Sequence, residues 1–457
     1  MILTARYVLP VSRKHIEHGA VCVHGDEIVA VGTLAEVVQR FPDEEIKDFG
    51  LAALCPGFID THTHLEYTAM RGLIEDEPYA DWKHQVMLRE KLFSKQDWED
   101  SARLGALEAT SSGITAIADI TETGASVVAA DEAGLRGIIY REVETMEKKH
   151  VGEVMDRARV DIEHWRGAVD ESRLSIGIAP HSAYSCHPEL FRAVAEYAKD
   201  GTPVAMHLAG SFEEYQFVKY GASQLGTDVR QDYDSHAPLW LPTGVSPVKY
   251  VLQWGIFDVP NILAIHCTQV DDDDIQALAR YDVAISHCPR CNAKLGMGIA
   301  PLQKFMNAGL RLGLGTDSPA ASNAMDVFEE MRIGMLIQRA AYGKERFYTA
   351  SRFLKLATYD AASALGILDS TGSLDEGKKA DIIAVDLSKS AQVPTHRPAS
   401  AMVHTVHQNN VLMTMVAGEV VYADGKWSHL DGERLKVRAE EMREKLRSSI
   451  NETNGLS

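Results

Sequence analysis

The sequence predicts an α/β protein, a (β/α)₈ TIM barrel carrying a small β-sandwich domain built from both termini. Three observations predict it. Short apolar strands alternate with amphipathic helical segments through the middle of the chain, the pattern of repeated βα units and a parallel sheet. The two ends share a different texture, in which apolar and polar residues alternate. And 457 residues exceed one ordinary domain, so one large unit plus a smaller one is expected.

The first ~50 residues alternate apolar and polar, as in VCVHGDEIVAVG, and read as small antiparallel strands with Gly25-Asp26 at a turn. Eight candidate barrel strands follow: Leu54 to Leu65, Thr115 to Ile120, Gly137 to Val143, Leu174 to His181, Pro203 to Ala209, Ile262 to Thr268, Val283 to Cys288 and Leu310 to Asp317. Eight βα units in roughly 300 residues fit a TIM barrel. The alternating texture returns in KKADIIAVDL and VLMTMVAGEVVYADGKW, so the flanking strands pair into one composite domain, and a charged helical run from Gly432 to Ser449 packs outside it. The expected division is 1–56 with 366–430 for the composite β domain, 57–365 for the barrel and 431–457 for a C-terminal helix.

One connection, Gly210 to Asn261, is too long for a plain βα link. On a barrel rim it forms either a lid with substrate contacts or an extra packed helix. Its Trp240 either stacks on a heterocycle or staples the segment down.

Composition narrows the function. Hydrophobic residues make up 45% and charged residues 24%, ample for a full core. Forty-six Lys and Arg against 65 Asp and Glu give a net charge of −19, which repels nucleic acid and anionic membrane and points to a neutral or weakly charged small-molecule substrate. No apolar stretch is long enough to cross a bilayer. MILTARYVLPVSRKHIEHGAV reads as a strand with a turn, without a signal-peptide core. Six scattered cysteines make a reducing cytoplasm the simplest compartment. Cys288 and Cys291 spell CPRC, but no second CxxC completes a zinc site, and they read as lining a strand end.

The chemistry begins at PGFIDTHTHLEY. His62 and His64 lie two apart at the end of an apolar strand and leave the same face, which in a barrel is the interior at the active-site mouth. Two imidazoles there need a partner, and a metal supplies one. The pattern repeats: His181 ends the fourth strand in IAPHSAYS, His207 the fifth in AMHLAG, His266 the sixth in LAIHCTQ and Asp317 the eighth in LGLGTDS. Polar residues ending five of eight apolar strands on one rim point to a catalytic centre rather than core packing.

With PGFIDTHTH, GTDS and the late GSLDEGKKADIIAVD, the chain resembles the amidohydrolase superfamily over nearly its whole length. The resemblance implies one divalent metal ion, zinc first and iron as the alternative, held by His62, His64, His207 and Asp317, with His266 beside the bound water. Some relatives bridge two metals through a modified lysine on the fourth strand; Leu174 to Tyr184 contains none, so a mononuclear site is expected. Three imidazoles and a carboxylate leave a position for water, whose pKa the ion lowers toward ~7. Asp317 then takes the water's proton and His266 orients or polarises it.

Within the superfamily, THTHLEYTAMRGL, PHSAYSCHPEL, CPRCNAKLG and APLQKFMNAGLRLGLGTDSPAASN resemble the cytosine/adenosine deaminase-like branch, in particular aminodeoxyfutalosine deaminases and thioadenosine/adenosylhomocysteine deaminases. That resemblance implies deamination of an aminopurine nucleoside-like substrate, with His181 contacting substrate and an acid after the first strand, here Glu90, binding the sugar. One departure stands out. Such deaminases carry Glu three residues after the fifth-strand histidine, where this chain has Gly210. Glu66 shares strand parity with His62 and His64 and is the first candidate to replace that acid, while Glu213 and Glu214 follow Gly210 in what also reads as a solvated helical turn.

Three lesser signals read as structural: Asn323 caps the helix that follows it, His287 ends the seventh strand without a ligand role, and Asp271 to Asp274 cap a helix. The alternative function is a hydrolase of the same fold that expels chloride, an alkylamine or an amide nitrogen from an N-heterocycle, a reading Gly210 favours. A silent barrel has no need of five polar strand ends, and a homo-oligomer is compatible with everything above.

Overall fold

The computed structural model describes residues 1–223, 225 and 241–454, apart from the side chains of 345–346 and 448–454. Eight parallel strands form the barrel in chain order: Phe58–Thr63, Ile114–Thr121, Arg136–Val143, Leu174–Pro180, Val204–Leu208, Ile262–His266, Ala284–His287 and Leu312–Leu314. The ring is tied shut at its mouth, where Asp317 N donates to His62 O at 2.8 Å. Buried Asp60 adds two bonds across the same seam, from Thr316 N at 2.9 Å and Thr316 Oγ1 at 2.5 Å.

Strand parity sorts the core. Ile59, Ala118, Ile138, Tyr140, Ala205 and Ile265 share the cluster inside the ring, while Ile117, Ile139, Ile176, Met206, Ala264 and Ile285 belong to the larger cluster that also holds helix residues such as Met155 and Phe191. Tyr140 fills so much of the interior that a Cβ on Gly177 of the next strand would stand 2.6 Å from its ring and 2.6 Å from Pro203 O.

Two strands depart from the sequence reading. The run expected as one strand from Leu54 to Leu65 is two: Ala52–Pro56 joins the terminal sheet, Phe58–Thr63 the barrel. Gly57 makes the switch, in a place where a Cβ would meet Thr115 side-chain atoms at 2.1 Å. The eighth strand is only Leu312–Leu314, because the chain then turns to carry Asp317 into the mouth with a left-handed φ of 62°.

The termini form one nine-stranded mixed sheet. Ala52–Pro56 runs antiparallel to Ile382–Asp386, with Ala53 opposite Val385. Gly25-Asp26 makes the expected tight turn, His24 pairing Glu27 across it. The sheet curls on itself, Glu27 bridging Lys379, so that Leu3, Val21, Ile382 and Met413 share one core cluster. Buried Arg136 on the third barrel strand grips Asp381, the residue that leads into Ile382–Asp386 of this sheet, at 2.8 Å.

The C-terminal helix, Gly432–Asn454, lies on the helix Lys95–Ser111 through Arg438 to Asp100 at 2.9 Å and Lys445 to Asp97 at 2.6 Å. Asp271 caps the helix Asp272–Arg280 reciprocally with Asp274, as expected. Asn323 ends the helix Pro319–Ser322 in a left-handed conformation instead of starting the next one, which Asp326 caps. Among the described residues no helix is long and apolar enough to cross a membrane.

Candidate active site

Five strand ends meet above the barrel core. His207 shares the inward parity of Ala205, and His181 that of Ala179. His266 does not share its strand's inward parity, since Leu263 and Ile265 point inward. It reaches the mouth because the backbone turns left-handed there, φ 72° at His266 and 46° at Cys267. Such conformations cost of order 1–3 kcal/mol each in a non-glycine residue and persist where the surroundings hold them.

The imidazoles are aimed by their far nitrogens. His64 Nδ1 donates to Ile120 O at 3.0 Å and His207 Nδ1 to His181 O at 3.0 Å. Their Nε2 lone pairs are thereby free and stand 3.4 Å apart. Neither ring nitrogen of His62 makes a hydrogen bond, although the residue is fully buried. Asp317 places Oδ1 3.5 Å from His62 Nε2 and Oδ2 3.7 Å from His266 Nε2. Two overlapping groups of ligand atoms result, His62–His64–Asp317 and His62–His207–His266, each within 4.8 Å.

A buried set of lone pairs with no protons to share suits a divalent cation, and the residues present fit one. Burial pushes the His64 pKa down to about 3 and His266 to about 4, which keeps both neutral as ligands and acceptors must be. Burial raises Asp317, but His62, 3.5 Å away, outweighs it and holds the carboxyl well below its ordinary range.

The cavity over this centre has aromatic and apolar walls, Tyr79, Trp82, Val86, Leu295 and Met297 among them. Its described polar lining includes His181, Glu142, Lys83 and Ser318 besides the strand-end histidines and Asp317. His181 is held by Ser185 Oγ at 2.7 Å and Glu144 Oε2 at 3.1 Å, both on Nδ1, so that Nε2 is left for the cavity. A second chamber adjoins, sharing Tyr67, Lys83, Glu142 and His181 with the first and adding Glu90, Glu122 and Glu144. Cys291 of the CPRC run lines the metal cavity, and all six cysteines are free and buried.

The sequence-derived residues fall unevenly. His62, His64, His207, His266, Asp317 and His181 come together. Glu90 lines the side chamber, where it accepts from Tyr67 OH at 3.1 Å. Glu66 does not face the mouth. The first strand ends at Thr63 and the chain enters a 3-10 turn, Leu65–Met70, which breaks the parity with His62 and His64. Its buried carboxylate accepts from Thr121 Oγ1 at 2.6 Å, Thr123 Oγ1 at 2.5 Å and Glu122 N at 3.0 Å. Glu214 is likewise committed, to Ala209 N and Gly210 N. Trp240 lies outside the described residues. Sequence reading missed Glu142 and Lys83. Glu142 was within reach, because it ends the third strand on the parity of Ile138 and Tyr140.

Fold and donor set define a metal-dependent barrel hydrolase. The chain belongs to the amidohydrolase family, whose pattern matches residues 53–421; an imidazolonepropionase-like composite domain of bacteria matches residues 19–43. It is 31% identical to a 5-methylthioadenosine/S-adenosylhomocysteine deaminase of Pelotomaculum thermopropionicum, over 92% of each chain. An adenosine deaminase from Xanthomonas campestris with bound zinc superposes with a TM-score of 0.85 at 25% identity, covering 98% of both chains. The atrazine chlorohydrolase TrzN of Arthrobacter aurescens, complexed with zinc, shares the fold at a TM-score of 0.82 and 23% identity, over 96% of this chain and 99% of that one.

Proposed function

We propose that this chain deaminates an aminopurine nucleoside-like substrate, an adenosine or aminodeoxyfutalosine derivative, using a single zinc ion held by His62, His64, His207 and Asp317. The observation that carries the reading is the convergence of free imidazole nitrogens and Asp317 beneath a flat-walled aromatic cavity. The deaminase names borne by relatives similar over nine-tenths of their length favour the same chemistry. A divalent ion bound there supplies an activated water at neutral pH.

The chain's own residues do the rest. Asp317 Oδ2, free on the His266 side, takes a proton from the attacking water. His266 donates Nδ1–H to Asn292 Oδ1 at 2.9 Å, which leaves Nε2 as an acceptor that orients the same water. Trp82 and Tyr79, stacked at 25°, wall one side of the space for a heterocycle. His181 and Glu90 reach the sugar side, the latter from the adjoining chamber. The six free cysteines fit a reducing, cytoplasmic compartment.

Metal analysis and ammonia release across a panel of purine nucleosides test the reading. One equivalent of zinc with ammonia release supports it. Two equivalents, both required, overturn the mononuclear claim. Gly210 favours a second reading, the expulsion of chloride, an alkylamine or an amide nitrogen from an N-heterocycle. Turnover of such compounds with no ammonia from any nucleoside establishes that one instead.

A further inference from the structure

If the reaction is a deamination, the departing amine must be protonated, and the position where the family resemblance implies an acid is Gly210 here. A Cβ on Gly210 would stand 3.1 Å from both His266 Cδ2 and Met297 Cε, so the position borders two residues of the cavity wall, without an acid.

The described acids nearby can be taken in turn. Glu66 is held by two threonine hydroxyls and a backbone N–H. Glu214 accepts two backbone N–H groups. Glu90 takes the Tyr67 hydroxyl, and both it and Glu144 line the side chamber rather than the metal cavity. Asp60 serves Thr316. Among the described residues, Asp317 and Glu142 are the two carboxylates that line the metal cavity itself. Glu142 Oε1 is buried and accepts no hydrogen bond, and it stands 3.8 Å from His181 Nε2. Resting on the deaminase reading above, we infer that Glu142 is the catalytic acid that protonates the leaving amine, replacing the acid absent at Gly210.

Burial holds the Glu142 carboxyl well above its ordinary pKa, against the opposing charge of Lys83 and with the help of Glu144, Glu122 and Glu66. The protons balance. Asp317 takes one from the water as its oxygen bonds to carbon, and passes it to the ring nitrogen. Glu142 gives its own to the amine as the carbon–nitrogen bond breaks and the electron pair leaves with nitrogen. The remaining hydroxyl proton returns to Glu142 as the carbonyl forms, so amine plus water gives oxo product plus ammonia.

The test pairs the best ammonia-releasing nucleoside of the panel with its 6-chloro counterpart, because chloride departs without a proton. Glu142→Gln should lower the ammonia-releasing kcat by about 10²–10⁴ while chloride release falls less than about ten-fold. Bound metal per chain and the Kd for unsubstituted purine riboside should match the parent protein. Adding Gly210→Glu to Glu142→Gln should recover ammonia release at least ten-fold. Equal losses on the two substrates, or a near-normal ammonia rate, overturn the role. If the parent enzyme releases chloride but ammonia from no nucleoside, the deaminase reading itself is overturned, and the role falls with it before any variant is made.

Discussion

Glu66→Gln should destabilise the fold and leave catalysis almost untouched. In the structure one carboxylate oxygen accepts both threonine hydroxyls, from Thr121 and Thr123, and the other accepts Glu122 N–H. Gln can keep its carbonyl oxygen toward the two hydroxyls. Its amide then faces Glu122 N–H, donor against donor, and a buried donor left without a partner costs about 1–3 kcal/mol. The two surviving bonds drop from charge-assisted to neutral strength, a further loss of ~1 kcal/mol. The total is about 2–4 kcal/mol, read as a fall in urea midpoint at unchanged slope. The kcat of the metal-loaded variant should stay within about threefold of the parent. A kcat loss of 10² or more at an unshifted midpoint would refute the placement of Glu66 as a clamp between the first strand's exit and the loop after the second.

His62→Ala should abolish turnover and cut bound metal well below one equivalent, since His62 lies in both ligand groupings; retention of full metal by mass spectrometry would remove it from the ligand set. Gly177→Ala drives a Cβ to 2.6 Å from the Tyr140 ring and from Pro203 O, and should cost about 1–3 kcal/mol by urea unfolding; pairing it with Tyr140→Leu should recover part of that loss. Asp97 is held down to about 2 from 3.8, burial raising it but Lys445 and Ser94 prevailing. A depressed carboxyl stabilises above its unfolded pKa, so the C-terminal helix loses this anchor as pH falls from about 4 to about 2, by on the order of 1 kcal/mol after solvent screening. Hydrogen exchange of that helix, corrected for intrinsic rate, should accelerate through this window, and Asp97→Asn should show the faster exchange at pH 7; a pH-independent protection would count against the anchor.

Strand order and the rim were readable because parallel strands buried on both faces are continuous apolar runs, and a polar residue ending one is conspicuous. His207 and His181 follow simple parity, so their inward aim was legible. His266 is legible by residue type rather than geometry, since its aim depends on a left-handed backbone that no spacing encodes. Glu66 is the converse case: strand parity points it inward, but the strand ends at Thr63 and the 3-10 turn aims it elsewhere. Glu142 is hidden in GIIYREVET because charges occupy both parities there, and Arg141 is set apart only by its pairing with Asp161 on the helix that follows, Val151–Arg166.

The pairing of Ala53 with Val385 has a consequence for the growing chain. At ~5–20 residues per second, the roughly 330 residues between those partners take about 15–65 s to synthesise. Throughout that interval the N-terminal strands have emerged with one edge unpaired and with Leu3, Val21 and Leu54 lacking the Ile382 and Met413 side of their core. Translation that stalls or stops inside the barrel therefore leaves a sticky, half-built sheet rather than a truncated but quiet domain. Completion of the sheet waits on the arrival of the last strands.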